Sequence, residues 1–172
     1  MRTRFRAGVS ALALAVLALA ATSVDAQPVR VGAAAPEIDL PMLTGGRVQL
    51  SKLRGHPVVV SFWATWCPSC RTEFPELVRL HETHGPAGLR VLGVNGRDQE
   101  RSTKNVKAFL DEVGASFPVV LDQRGRARLE YRLVGLPTTV FVDSAGIIQG
   151  IHRGPISREE LDRGVAAILP PR

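Results

Sequence analysis

The residues Val58-Val59-Val60-Ser61-Phe62-Trp63 are β-branched or aromatic with one small polar exception, a pattern that predicts a strand buried on both faces. The run passes through Ala64-Thr65-Trp66 into Cys67-Pro68-Ser69-Cys70. Pro68 suits the first position of a helix, where the N–H it lacks has no intrahelical partner to lose. Phe74, Leu77, Val78 and Leu80 or His81 then recur at helical spacing towards Gly85-Pro86, which predicts the stop. Pro75 lies inside that helix and predicts a kink.

Further along, Leu89 to Val94 reads as a second strand. Val106, Phe109, Leu110 and Val113 follow the i, i+3, i+4, i+7 rule, so Arg101 to Val113 is predicted as a helix ended by Gly114. Val119-Val120-Leu121 and Thr138 to Val142 are two more strands. Asp143-Ser144-Ala145-Gly146 is turn-like, and Ile147 to His152 is expected to pair back as a hairpin. Ser157 and Glu160 form a capping box ahead of Leu161, Val165 and Ile168 on one helical face. Upstream, Leu43-Thr44-Gly45-Gly46-Arg47-Val48 predicts an early hairpin. The order is hairpin, β-α-β, α-β, short helix, β-β-α, so the fold class is α/β with a mixed central sheet flanked by helices.

The N-terminus is different in kind. Arg2, Arg4 and Arg6 precede an uncharged, Ala-rich stretch from Ala7 to Ala21, and Val24-Asp25-Ala26 offers a small-x-small cleavage site. Residues 1–26 therefore read as a secretory signal peptide and residues 27–172 as one domain. The apolar run is short of the roughly 20 residues a spanning helix needs. An uncleaved leader that tethers the domain to a membrane remains the alternative. Either way the expected location is the periplasm or another extracytoplasmic space. Without residues 1–26 the formal charge drops from +6 to +4, 19 bases against 15 acids. Nearly all the bases are scattered arginines, with a short cluster at Arg124, Arg126 and Arg128, so a nucleic-acid footprint is not expected.

An exported chain meets an oxidising space, where cysteines usually become structural disulfides. Here both cysteines stand in one C-x-x-C, and a bond across so small a loop takes little entropy from the unfolded chain. Residues three apart on a helical turn do lie at disulfide spacing, which suits a redox pair. At a strand-to-helix junction Cys67 stands at a helix N-terminus, where unpaired N–H groups favour a thiolate. Cys67 is thus expected to attack, and Cys70, one turn deeper, to resolve the mixed disulfide. A structural zinc site needs four ligands, and His56, His81, His84 and His152 are read as surface residues instead. The exchange needs two sulfurs and no cofactor.

Phe62-Trp63-Ala64-Thr65-Trp66-Cys67-Pro68-Ser69-Cys70, followed by Leu136-Pro137-Thr138-Thr139-Val140-Phe141, resembles the thioredoxin superfamily. More narrowly, the chain is similar to TlpA/ResA-type exported thiol–disulfide oxidoreductases through Ala35-Pro36, Leu53-Arg54-Gly55 and Cys70-Arg71-Thr72-Glu73-Phe74-Pro75. The resemblance covers roughly residues 31–170, and it makes the helix and strand between Arg101 and Leu121 a central insert. It implies a cis Pro137 facing the redox pair, whereas composition alone favours trans, since cis bonds are about 5–6% of X-Pro bonds. It also implies a Leu136 backbone free to pair with an extended client, a docking surface at Trp66 and Pro68, and a Glu73 that tunes the thiols. Spacing alone leaves Glu73 equally readable as a solvated residue of the first helical turns. Thioredoxin itself has a buried acid six residues before its first cysteine, where this chain has Ser61. Trp63 is expected inside the strand.

The function expected is reduction of disulfides in client proteins, such as apocytochrome c or copper-site thiols, with a membrane thiol donor restoring the dithiol. Two other classes stay in view. A thiol peroxidase of peroxiredoxin type carries Thr or Ser three residues before its peroxidatic cysteine, and that residue is Ala64 here. A non-enzymatic copper or partner-binding protein could use the reduced cysteines, because thiolates suit copper(I).

Overall fold

Two short antiparallel strands, β1 (Asp39–Pro41) and β2 (Arg47–Gln49), are joined through Gly45 and Gly46, both at positive φ. This is the predicted hairpin. The structure, a computed structural model, describes residues 29–170, so the expected leader lies outside the described residues.

β3 (Val58–Trp63) is buried at every position. It pairs in parallel with β4 (Arg90–Asn95), which pairs in parallel with β5 (Val119–Leu121). Its other edge pairs antiparallel with β6 (Thr138–Val142), and β6 with β7 (Ile148–Arg153). The sheet order is β5-β4-β3-β6-β7, the mixed sheet that the alternating pattern predicts. The hairpin is fastened to the outer edge of β5 through a bridge from Met42 to Val120 and a 2.9 Å bond from Leu43 N–H to the Val119 carbonyl. It thereby covers backbone groups that an open edge would offer to another chain.

The helices are α1 (Pro68–His84), α2 (Thr103–Glu112), α3 (Arg126–Glu130) and α4 (Arg158–Ile168). Because side chains alternate along a strand, β3 feeds two cores. Val59 and Trp63 face one with Phe74, Leu77 and Leu80 of α1, Phe109 of α2, and Leu161 and Val165 of α4. Val58, Val60 and Phe62 face the other with Ile38, Tyr131 and Ile148. Trp63 packs edge-on to Phe74 at 4.7 Å and stacks on Phe109 at 4.9 Å. Each such ring pair adds about 0.5–1.5 kcal/mol beyond its buried area. The end of β3 is therefore held in place by aromatic packing from α1 and α2.

Some boundaries differ from expectation. α2 starts at Thr103, because the Ser102 hydroxyl accepts from the Asn105 N–H at 3.2 Å and leaves Arg101 outside. β7 runs one residue later than predicted, because the Ile147 N–H donates to the Asp143 carboxylate at 2.9 Å. α1 runs unbroken from Pro68 to His84, with Pro75 on its solvent side. The four histidines lie at the surface but are half-buried. A ring nitrogen of His56 lies 3.1 Å from the Gly88 carbonyl, and one of His152 lies 2.9 Å from that of Pro155. His81 packs edge-on to Phe117.

Gly164 lies inside α4 with the Phe141 ring directly against its α-carbon, so an added Cβ would fall within the ring. Alanine ordinarily stabilises a helix interior by about 1 kcal/mol over glycine. Here overpacking reverses the sign, and Gly164→Ala is expected to destabilise the fold by about 1–3 kcal/mol. Urea unfolding monitored by circular dichroism checks this; a stabilised variant would show that α4 shifts freely on the sheet.

Candidate active site

β3 ends at Trp63, and the chain closes a turn in which the Cys67 N–H donates to the Ala64 carbonyl at 3.2 Å. Cys67 is the N-cap of α1, with extended backbone (φ −90°, ψ 106°) and Pro68 in the first helical position. Its sulfur takes the place of a capping oxygen, accepting from the Cys70 N–H at 3.2 Å. The Ser69 hydroxyl lies 3.5 Å from the same sulfur. Cys67 and Cys70 are joined as a disulfide, 5.3 Å apart at Cα. Cys70 is fully enclosed and Cys67 is 4% exposed, so the pair meets the surface only at Cys67.

Phe62 pairs with Thr138 across the β3–β6 ladder, which sets Pro137 at the same end of the sheet as Cys67. The Leu136–Pro137 bond is cis, as the resemblance implies and against the trans reading from composition. Pro137 is buried, and its carbonyl accepts from the Gly154 N–H at 2.8 Å. The backbone N–H and C=O of the half-buried Leu136 have no partner among the described residues. Trp66 is 56% exposed, Pro68 is also exposed, and Trp63 is wholly enclosed. Val134, which the sequence does not single out, is exposed on the loop that leads to Pro137.

Glu73 lies one helical turn beyond Cys70, on the face of α1 that packs on the sheet. It is 4% exposed, which settles its position against the solvated reading. The Ser61 hydroxyl donates to one carboxylate oxygen at 3.3 Å, and the other oxygen has no hydrogen-bond partner. Burial pushes the carboxyl up to about 7, against the opposing pull of the Ser61 hydroxyl and the Ile156 backbone amide. Ser61 thus marks no empty position. The acid sits on the helix and reaches the strand residue from the other side.

A second buried acid, Glu100, carries no local sequence signal. Glu100, between β4 and α2, accepts from the Thr65 N–H at 2.6 Å and the Asn95 side-chain amide at 2.9 Å on one oxygen. It accepts from the Thr65 hydroxyl at 2.5 Å on the other. It stands in an irregular segment without periodicity, and Thr65 lies 35 positions upstream, so no local signal announces it.

Glu73 generates a stability prediction for the oxidised protein. Its carboxyl is raised on folding, so the folded state holds a proton that the unfolded state has lost between pH 4.5 and about 7. Its contribution is fully present below pH 4.5 and is lost as pH rises through about 7. That interval corresponds to a loss on the order of 3 kcal/mol. Glu73→Gln removes this dependence, so its stability relative to wild type is expected to grow from pH 4.5 to 7 and then level off. Equal pH profiles for the two proteins would place the carboxyl in water.

Comparison with known proteins agrees with this geometry. The AhpC/TSA family model matches residues 31–151. The thioredoxin-like protein YneN of Bacillus subtilis is 36% identical over 132 residues, covering 77% of this chain and 76% of its own. The thiol–disulfide oxidoreductase ResA of Geobacillus kaustophilus is 33% identical over 142 residues, covering 83% and 80%. A crystal structure of a thiol:disulfide interchange protein of the thioredoxin family from Chlorobium tepidum superposes with a TM-score of 0.70 at 30% identity, covering 81% of this chain and 97% of that one. The chain accordingly belongs to the AhpC/TSA family, as a thioredoxin-fold thiol–disulfide oxidoreductase of ResA type with Cys67 and Cys70 as its cysteine pair.

Proposed function

We propose that this oxidoreductase works outside the cytoplasm as a reductant of client disulfides, with Cys67 as nucleophile and Cys70 as resolving thiol. The observation that carries the assignment is the unequal setting of the two sulfurs. Cys67 caps α1 and borders the surface, while Cys70 is enclosed one turn below with Glu73 buried a further turn along. Helix-terminal N–H groups and the Ser69 hydroxyl favour charge on Cys67. Burial and a nearby carboxylate both disfavour charge on Cys70. The first pair stabilises the reduced form and the second works against it; in this proposal the second outweighs the first and favours electron donation.

In the proposed cycle the Cys67 thiolate attacks one sulfur of a client disulfide, and the client's other sulfur leaves as a thiolate. Cys70 then gives up its proton and attacks the Cys67 sulfur of the mixed disulfide. The client departs as a dithiol, and Cys67–Cys70 becomes a disulfide; two electrons pass to the client, with one proton from Cys70 and one from the solvent that took it when Cys67 ionised. Glu73, buried one turn beyond Cys70 with its carboxyl near 7, is the acid proposed to take the proton from Cys70. An extended client segment meets Trp66 and Pro68 on one side and pairs with the Leu136 backbone beside cis Pro137 on the other. A membrane thiol donor then returns the two electrons. Apocytochrome c and copper-site cysteine pairs are the clients that the resemblance to TlpA/ResA-type proteins brings forward.

Export rests on the residues 1–26 leader, read as cleaved after Ala26. Among the described residues no helix is long and apolar enough to cross a membrane.

Cys70→Ser removes the resolving thiol and is expected to leave Cys67 trapped in a mixed disulfide with its client, recoverable from the extracytoplasmic fraction and released by dithiothreitol. Cys67→Ser is expected to trap nothing. Trapping through Cys70 in the Cys67 variant would reverse the assignment, and stoichiometric consumption of hydrogen peroxide by the reduced protein would move the reading to a peroxidase.

A further inference from the structure

Among the buried ionisable groups, Glu100 has no part in the cycle above, yet it is bonded to the turn that carries the nucleophile. It is 9% exposed and forms no ion pair among the described residues. Burying a carboxylate without a counter-charge is costly unless donors replace water. Here three do, two of them from Thr65: its backbone N–H at 2.6 Å and its hydroxyl at 2.5 Å. The third is the Asn95 side-chain amide at the end of β4.

The acid is itself held in place. Its N–H donates to the Arg97 carbonyl at 3.2 Å, and its carbonyl accepts from the Arg97 guanidinium at 2.9 Å. The neighbouring Gly96 N–H donates to the Trp63 carbonyl at 3.0 Å. The segment after β4 is thus joined at two points to the five residues from Trp63 to Cys67.

Two bonds from one residue to one carboxylate fix both the backbone and the χ1 of Thr65. Thr65 directly precedes the exposed Trp66 and stands two residues before Cys67. Trp66 is itself more than half in solvent, so the turn beneath it is held by the Thr65 clamp together with the Cys67 N–H on the Ala64 carbonyl. Packing alone does not call for an acid in this place, since an apolar residue would fill the space without the desolvation cost.

We infer that Glu100 is a positioning residue for thiol–disulfide exchange: through Thr65 it holds the Trp66–Cys67 turn in the orientation that receives a client. The inference rests on Cys67–Cys70 as the reacting pair. The clamp acts on recognition of an extended or folded client more than on the intrinsic reactivity of the sulfur. Small disulfides, which need no Trp66 surface, are largely indifferent to it.

The test is steady-state reduction of a protein disulfide, insulin, beside reduction of a small aromatic disulfide by the same variants. For Glu100→Ala the kcat/KM on insulin is expected to fall about tenfold, the worth of a well-made hydrogen bond to a charged group, mainly through KM. The small disulfide is expected to react within about twofold of wild type, since its transition state does not use the clamp. Glu100→Gln keeps an oxygen for the Thr65 N–H and an amide for its hydroxyl, and is expected to retain most activity. Thr65→Val is expected to lose part of the activity, and its combination with Glu100→Ala to add nothing further, as residues of one network do not act additively.

Val142→Ala, a cavity in the opposite core, supplies a control of comparable destabilisation. Unchanged insulin kinetics in Glu100→Ala, an equal loss in the Val142→Ala control, or additive losses with Thr65→Val would each overturn the role. If Glu100→Ala does not fold, Glu100→Gln and Thr65→Val carry the comparison: equal losses on both substrates would contradict it. Wild type inactive on both substrates would remove the exchange activity itself, an outcome separate from any of these.

Discussion

β3 is closed in on both faces by the two cores and on both edges by β4 and β6, so the chain leaves it with little freedom of direction. The next turn is closed by the Cys67 N–H on Ala64 and clamped from the side by Glu100 on Thr65. Cys67 then has to serve as the first cap of α1, because no Ser, Thr, Asp or Asn stands in that position. A sulfur that caps a helix is held where backbone N–H groups point at it, and that is the setting in which a thiolate is stable. The rest of the site is arranged around this one junction.

The two sulfurs have different surroundings although they are three residues apart. Cys67 has helix-terminal donors and a hydroxyl beside it, and a narrow opening to solvent. Cys70 has neither, and the turn below it brings a carboxyl whose own charge is suppressed by burial. One position therefore accepts negative charge and the other resists it. In the proposed mechanism this difference assigns attack to the first and resolution to the second, and gives Glu73 a proton-handling task near neutral pH. The two settings pull the redox balance in opposite directions: charge held at Cys67 stabilises the dithiol, and in the proposed mechanism the enclosure of Cys70 outweighs it and stabilises the disulfide.

Much of the fold could be read in advance because its elements announce themselves locally. The unbroken apolar run of Val58–Trp63 identifies a central strand, and Ser157 with Glu160 announces α4 through a complete capping box. Glycines at positive φ mark the early hairpin. Boundaries moved where one side chain competed with the periodicity, as the Ser102 hydroxyl did at α2 and Asp143 at the start of β7. The site was legible where residues are consecutive, as in Cys67–Cys70, or matched by separated motifs, as at Pro137. It was illegible where function depends on a long-range side-chain contact. Glu73 could be read as either solvated or buried, since its environment comes from Ser61 across the helix–sheet interface. Glu100 gave no sign, because its partner lies on a different strand's exit.

The central claim is that the uneven setting of Cys67 and Cys70 makes this chain an electron donor. The reduction potential of the domain from residue 27 onward, equilibrated in defined thiol buffers and followed by Trp fluorescence, tests it most directly. A value close to the thioredoxin range, about −270 mV, is the result expected of a disulfide stabilised against a buried, ionisation-resistant Cys70. A value close to about −120 mV would mean that the reduced form is the stabilised one, and the protein would then be an oxidant acting through the same two sulfurs.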